Sequence, residues 1–277
     1  MEINKHICFS KDRVPELVDY LQKNSVNFDN TNGLVTFDVL QSSVHWNTVQ
    51  SYVQNHHLTC LSETSFSNKE LENAEWLCVR SKWKCGYPVP ESGFGYQGIT
   101  YSNEHYCAAC GGGLTQADSF RLRGVPKWGK RHFMMLNWVD DELFVDDIAK
   151  DVLESMKFTG LEFAYVKNKN GTALLSGVYQ LVISSQSNQG FVHGEDSVQN
   201  VIVCPSCGRV KYHPSGIGMY SFMYESLKDM TDICKTAEFF GWGKSTHQLI
   251  LVRQSVYRTI ADNHLDRGLV FSPINLV

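Results

Sequence analysis

An excess of positive charge is the first thing this sequence lacks. Twenty-five Lys and Arg stand against 29 Asp and Glu, for a net charge of −4 and a pI of about 6.2. No general field exists for gripping a phosphate backbone. Long apolar runs are missing too: nothing approaches the ~18 continuous apolar residues of a membrane-crossing helix. The stretch from Met1 to His6 has no apolar core of a secretory signal, and a cytoplasmic location is the expectation. Proline is sparse, with seven in 277 residues, and no Pro/Gly/Ser-rich tract marks a linker. The motifs of familiar catalysts are absent. There is no Gly-x-Ser-x-Gly elbow, no Gly-x-x-x-x-Gly-Lys phosphate loop and no His-Glu-x-x-His helix. No catalytic residue and no small-molecule substrate is assigned, and the chain is expected not to be an enzyme.

What is present is ample material for a core, 43% hydrophobic and 12% aromatic, and nine cysteines. In a reducing compartment such thiols are metal ligands or buried side chains more often than disulfides. Four of them form two matching knuckles, Cys107-Ala-Ala-Cys110-Gly111 and Cys204-Pro-Ser-Cys207-Gly208. Four thiolates are the ligand set of a closed tetrahedral zinc site, and the Gly after each pair suits a turn that needs positive φ. A single structural Zn²⁺ on Cys107, Cys110, Cys204 and Cys207 is the expectation. Rubredoxin-type iron uses the same sulfurs, and reduced thiols or a disulfide pair are the alternatives. The 93 residues from 111 to 203 separate the knuckles, far more than in an ordinary zinc ribbon.

Along the chain, residues 14–21 have helical spacing, 30–33 read as a turn, 34–40 as a strand and 43–54 as a short helix. Ser67-Asn-Lys-Glu70 is a capping box, opening a helix expected to run through Leu77. Residues 83–101 are irregular and expected to pack against the metal site. Residues 133–139 read as one strand. Residues 146–157 read as a helix with Ile148, Val152, Leu153 and Met156 on one face and Gly160 as its stop. Strands at 161–166 and 179–183 flank an Asn-Lys-Asn-Gly turn, and 184–200 reads as an exposed loop. Helices are expected at 230–240 and 255–264, and strands at 247–252 and 268–271. The fold is therefore expected to be α+β, with mixed and antiparallel sheets and a zinc-ribbon-like knuckle pair separated by a structured insert. Residues 1–62 would be an N-terminal module, and 63–277 a zinc-knuckle domain with its insert at 114–200.

The remaining chemistry is weak. His56, His57, His105, His132, His193, His213 and His247 are scattered; His105 and His213 read as ordinary surface or loop residues, or else as hydrogen-bond partners of the knuckles. The pair His193-Gly-Glu195 is too close to Cys204 for a deaminase motif. Cys8, Cys60, Cys78, Cys85 and Cys234 read as buried apolar residues, with contact to the zinc region open for Cys78 and Cys85. Gly111-Gly-Gly113 continues the knuckle turn. Five carboxylates from Asp140 to Asp147 read as a helix start or as an acidic face for a basic partner. Arg121, Arg123, Lys127, Lys130 and Arg131 form a local basic patch, either a solvated loop or a site for nucleic acid.

The paired knuckles with a long insert resemble the bacterial double-CXXCG motif proteins. Further likeness lies in the Phe66-Ser-x-x-Glu70 helix start, the Tyr87-Pro-x-Pro-Glu91 loop and the closing Gly268-Leu-x-Phe-x-Pro273 strand. The resemblance covers roughly residues 66–277. It implies a role in immunity against polymorphic toxins, hence a protein that binds and neutralises a toxin domain. The alternatives are a zinc-ribbon nucleic-acid binder using the basic patch, and an enzyme whose site is assembled from dispersed residues.

Overall fold

The computed structural model describes residues 1–194 and 197–277; Glu195 lies outside the described residues. At the N-terminus, β1 (Glu2–Ser10) is followed by α1 (Pro15–Lys23), which buries Leu17, Val18 and Leu21 as their spacing predicts. Asn32 and Gly33, with φ of 53° and 81°, make the two-residue turn between β2 (Asp29–Thr31) and β3 (Leu34–Leu40). The turn is thus tighter than 30–33, because Asn30 and Thr31 already pair. After α2 (Trp46–Asn55), β4 (Thr59–Ser65) completes an antiparallel sheet of order β2-β3-β1-β4. The helices cover it through Ile7, Phe9, Leu17, Leu21, Phe37 and Val49. Its edge strand touches the rest of the chain. Glu63 accepts from Arg80 and Lys82 at 2.9 Å each, and Thr64 exchanges hydrogen bonds with Gly216 and Gly218.

The capping box forms as read, with Ser67 and Glu70 satisfying each other's amides. Its helix α3 (Asn68–Asn73) stops well short of Leu77, however. Trp76 and Leu77 open β5 (Trp76–Ser81), which is buried everywhere except Arg80. A short apolar run buried on both faces carries no period that separates strand from helix. Beyond it come α4 (Tyr96–Thr100) inside the segment expected to be irregular, then β6 (Tyr101–Ser102), β7 (Thr115–Gln116) and β8 (Arg121–Leu122). The contacts of the 83–101 segment run mainly to Met135 and Trp138, although its last residue, Tyr101, pairs with Gln116 in the strand pair that carries the first knuckle. Cys85 donates its amide to the Met135 carbonyl, and the rings of Tyr87 and Phe94 lie 4.4 and 4.7 Å from that of Trp138.

The apolar run at 133–139 is two strands, β9 (Phe133–Leu136) and β10 (Val139–Val145), turning at Trp138 with φ of 70°. Asp146 caps α5 (Asp147–Ser155) by accepting from the Ala149 amide at 2.9 Å. Ala149 and Leu153 form its buried face; Ile148 and Met156 are 56% and 52% exposed. The left-handed residue that directly follows the helix is Lys157, with φ of 54°; Gly160, at 85°, comes three residues later. Gly160 instead lets its turn lie against the Ile233 carbonyl. The hairpin of β11 (Leu161–Asn168) and β12 (Leu174–Ile183) completes a mixed sheet of order β8-β11-β12-β10-β9.

Two strands enter the expected 184–200 loop, β13 (Phe191–Val192) and β14 (Val198–Val203). They are followed by β15 (Val210–Pro214), β16 (Tyr220–Phe222) and α6 (Tyr224–Leu227). In place of a helix at 230–240 stand β17 (Ile233–Lys235) and β18 (Phe239–Phe240). The β-branched and aromatic residues there pack better on a sheet. The chain ends with β19 (Ile250–Arg253), α7 (Gln254–Asp262) and β20 (Leu269–Leu276). A six-stranded sheet of order β13-β16-β20-β5-β19-β17 forms the centre, and β14-β15-β18 a small sheet beside it. Helices α5 and α7 cover the main core through Leu153, Val256 and Ile260. The fold is α+β with mixed and antiparallel sheets, as the patterning implies. Among the described residues no helix is long and apolar enough to cross a membrane.

Candidate metal centre

Each knuckle sits on the return of a short strand pair, the first between β6 and β7 and the second between β14 and β15. The two turns share one hydrogen-bond pattern. Gly111 donates to the Cys107 carbonyl at 2.7 Å, and Gly208 to that of Cys204 at 2.9 Å. The Cys107 amide meets the Gly112 carbonyl at 2.8 Å, and the Cys204 amide that of Arg209 at 2.9 Å. Both turns need positive φ, 78° at Gly111 and 72° at Gly208.

The fold brings all four sulfurs together within 4.8 Å of one another. Cys107 Sγ lies 3.7 Å from Cys204 Sγ, and Cys110 Sγ 3.8 Å from Cys207 Sγ. A disulfide holds its sulfurs ~2.05 Å apart. Metal–sulfur bonds of ~2.3 Å in a tetrahedron set them about 3.8 Å apart. The spacing fits a metal ion, and the cluster can hold one. Its electrostatics agree. Amides of Cys110 and Ala109 point at the Cys107 sulfur and bring its pKa down to about 6; those of Ser206 and Cys207 lower Cys204. At Cys207 the Arg209 amide pulls downward, but desolvation and the neighbouring sulfurs outweigh it and push the thiol up to about 11.

The glycines after Cys110 have distinct tasks. A Cβ on Gly111 would overlap the Lys244 carbonyl, and one on Gly113 the His105 carbonyl. Gly112 leaves room for the side chain of Arg209, whose Nη1 lies 3.7 Å from both Cys110 Sγ and Cys207 Sγ. Sequence reasoning offered His105 and His213 as candidate hydrogen-bond partners of the knuckles, beside the reading of both as ordinary surface histidines, and missed Arg209. His213 instead faces the Trp242 ring at 4.5 Å. Cys78 and Cys85 belong to core clusters and not to the sulfur site, and burial pushes the Cys78 thiol up to about 12.

The other candidate surfaces are largely self-paired. Arg123 is held by Glu91 at 2.7 Å, Arg121 lies 3.8 Å from Asp118, and Arg131 covers the Trp83 ring. The basic patch is therefore partly neutralised. The carboxylates of 140–147 form no single acidic face. Asp140 pairs with Lys84, while Glu142 is buried on Lys235 Nζ (2.5 Å) and Gln180 (2.9 Å), its carboxyl raised by burial. Asp146 caps its helix, and Asp147 accepts from the Tyr179 hydroxyl. A cleft of about 430 Å³ runs between β4 and β5. Its charged lining pairs internally as Glu63 with Arg80 and Asp140 with Lys84.

Fold and site together define an α+β protein in which two knuckles, distant in sequence, join in one four-cysteine cluster. No protein-family model matches the chain, and the search of curated proteins finds no match to it.

Proposed function

We propose that the cluster holds one structural zinc ion, and that the protein is a non-enzymatic binding protein, an immunity-type inhibitor of a bacterial toxin domain acting in the cytoplasm. The observation that carries the metal reading is the sulfur spacing of 3.7 and 3.8 Å. Four sulfurs complete a tetrahedron and leave no coordination position for water, so the ion would stabilise structure and not activate a nucleophile. The paired knuckles support the inhibitor reading through their resemblance to the double-CXXCG proteins. A surface of suitable character adjoins them. Val201, Ile202 and Val203 are exposed on β14, an edge strand, and Trp242 is 59% exposed over β15.

Elemental analysis is expected to find one zinc per chain; a folded protein free of zinc and iron would overturn the metal reading. For the partner, the genes beside this one are searched for a secreted toxin domain, whose absence would count against the inhibitor reading, and any such domain is co-expressed with the protein. Restored growth and a stable complex are expected. Tight, salt-sensitive nucleic-acid binding with no such complex would overturn the inhibitor reading.

A further inference from the structure

Two cations adjoin the four-cysteine cluster, Arg209 at its sulfurs and Lys211 at the Cys110 carbonyl, and among the described residues neither has a carboxylate partner. Arg209 reaches one sulfur of each knuckle, Cys110 and Cys207, at 3.7 Å, with its guanidinium over the Phe239 ring at 5.1 Å. Lys211 is only 3% exposed. Its ammonium donates to the carbonyls of Cys110 (3.3 Å), Gly243 (2.6 Å) and Ser245 (3.0 Å) and to Thr246 Oγ1 (3.4 Å). Every one of these acceptors is neutral. A buried ammonium without a counter-ion is costly, and acids on β10 are engaged elsewhere, Asp140 with Lys84 and Glu142 with Lys235.

The charges close once a metal is included. Four thiolates around a divalent ion carry a net charge of −2, and Arg209 with Lys211 supplies two positive charges. We propose that these two side chains are the built-in counter-charges of the metal–thiolate complex, matched in number to a divalent ion, and that they set its affinity. The inference rests on the four-sulfur metal site proposed above. Arg209 acts on the sulfurs directly, whereas Lys211 acts through the Cys110 carbonyl and the loop that carries Gly243 and Ser245. Gly112 is part of the device, since a Cβ there would press on the guanidinium. Both residues are positioning groups.

The test is a charge series at Arg209, which is half-buried. Zinc affinity is measured by competition with a chromophoric chelator for the wild type and for Arg209→Lys, Arg209→Gln and Arg209→Glu. Cobalt(II) absorption reports whether four sulfurs still bind. Arg209→Lys is expected to stay near the wild type, Arg209→Gln to bind zinc about 10- to 100-fold more weakly, and Arg209→Glu more weakly again, all with a four-sulfur cobalt spectrum. Lys211→Met is expected to weaken binding in the same range; should it fail to fold, the Arg209 series decides. Arg209→Gln within about twofold of wild type, or Arg209→Lys as weak as Arg209→Gln, would overturn the counter-charge role. A wild-type protein that takes up no cobalt through sulfur would instead overturn the metal site on which the inference rests.

Discussion

Gly111 and Gly208 occupy the same position in two knuckles of the same pattern, yet one added methyl group meets different surroundings. Both have left-handed backbones, 78° and 72°. At Gly208 nothing lies within 4 Å of a Cβ, whereas at Gly111 a Cβ would overlap the Lys244 carbonyl. Gly208→Ala should therefore cost only the left-handed strain, about 1–2 kcal/mol, and Gly111→Ala distinctly more. Urea denaturation of the two variants checks the order, and equal losses would contradict it. His247 supplies a pH dependence. Burial lowers its pKa below the usual 6.5, and its Nδ1 is sealed without a partner. The unfolded chain takes up the proton first, so this contribution to stability is present above pH 6.5 and lost as pH falls. The stability gap between wild type and His247→Gln should narrow from pH 7.5 to pH 5.5; a constant gap would refute the assignment. At this scale the sequence disclosed the four sulfurs, because Cys-x-x-Cys-Gly is a local pattern. It did not disclose Arg209 or Lys211 as neighbours of Cys110, since that contact joins positions about a hundred residues apart.

Among the elements, amphipathic helices were the most legible. The helices α1, α2, α5 and α7 lie close to where the 3.6-residue period puts them. The strands β1 and β4 went unread, and 230–240 and the start of β5 were read as helix. Central strands buried on both faces carry no alternation, and residues there obey their sheet neighbours more than their own propensity. Ile148 and Met156 show the same limit within a correct helix: their spacing is helical, but only the Ala149–Leu153 side meets β10 and β12. Start signals proved more dependable than stop signals. Asp146, a buried residue, both caps α5 and meets His132 Nδ1 at 2.9 Å. Asp146→Ala should cost about 1–2 kcal/mol and lower the melting temperature, with Asp146→Asn retaining most of the cap. Thermal melts of the two variants check this, and a silent alanine would contradict the cap.

For the whole molecule, the decisive feature is that the cluster lies outside the largest cores. The cores around Val256 and around Leu17 contain none of the four cysteines. A structural four-sulfur zinc site contributes on the order of 10 kcal/mol, comparable to the full stability of a domain. Where that energy acts follows from the contacts. The knuckles hold each other, and Lys211 and Thr246 tie them to the loop around Gly243 through the Cys110 carbonyl. Removing the metal at neutral pH should therefore loosen 105–113, 203–213 and 241–246 while the β1–β4 sheet stays closed. Hydrogen exchange of the chelated protein should show lost protection in those three segments and unchanged protection in β1 and β3. Cys204→Ser should reproduce the pattern without chelator, because it removes one of the four ligands. If chelation unfolded the whole chain in one step, the insert and the N-terminal sheet would depend on the metal, and the clamp would be a nucleus for the entire fold. If it changed no exchange rate, the metal would not be structural. Loss confined to the three segments is the outcome that places the ion at the seam, and it would include Trp242 in the surface that metal loading sets in place.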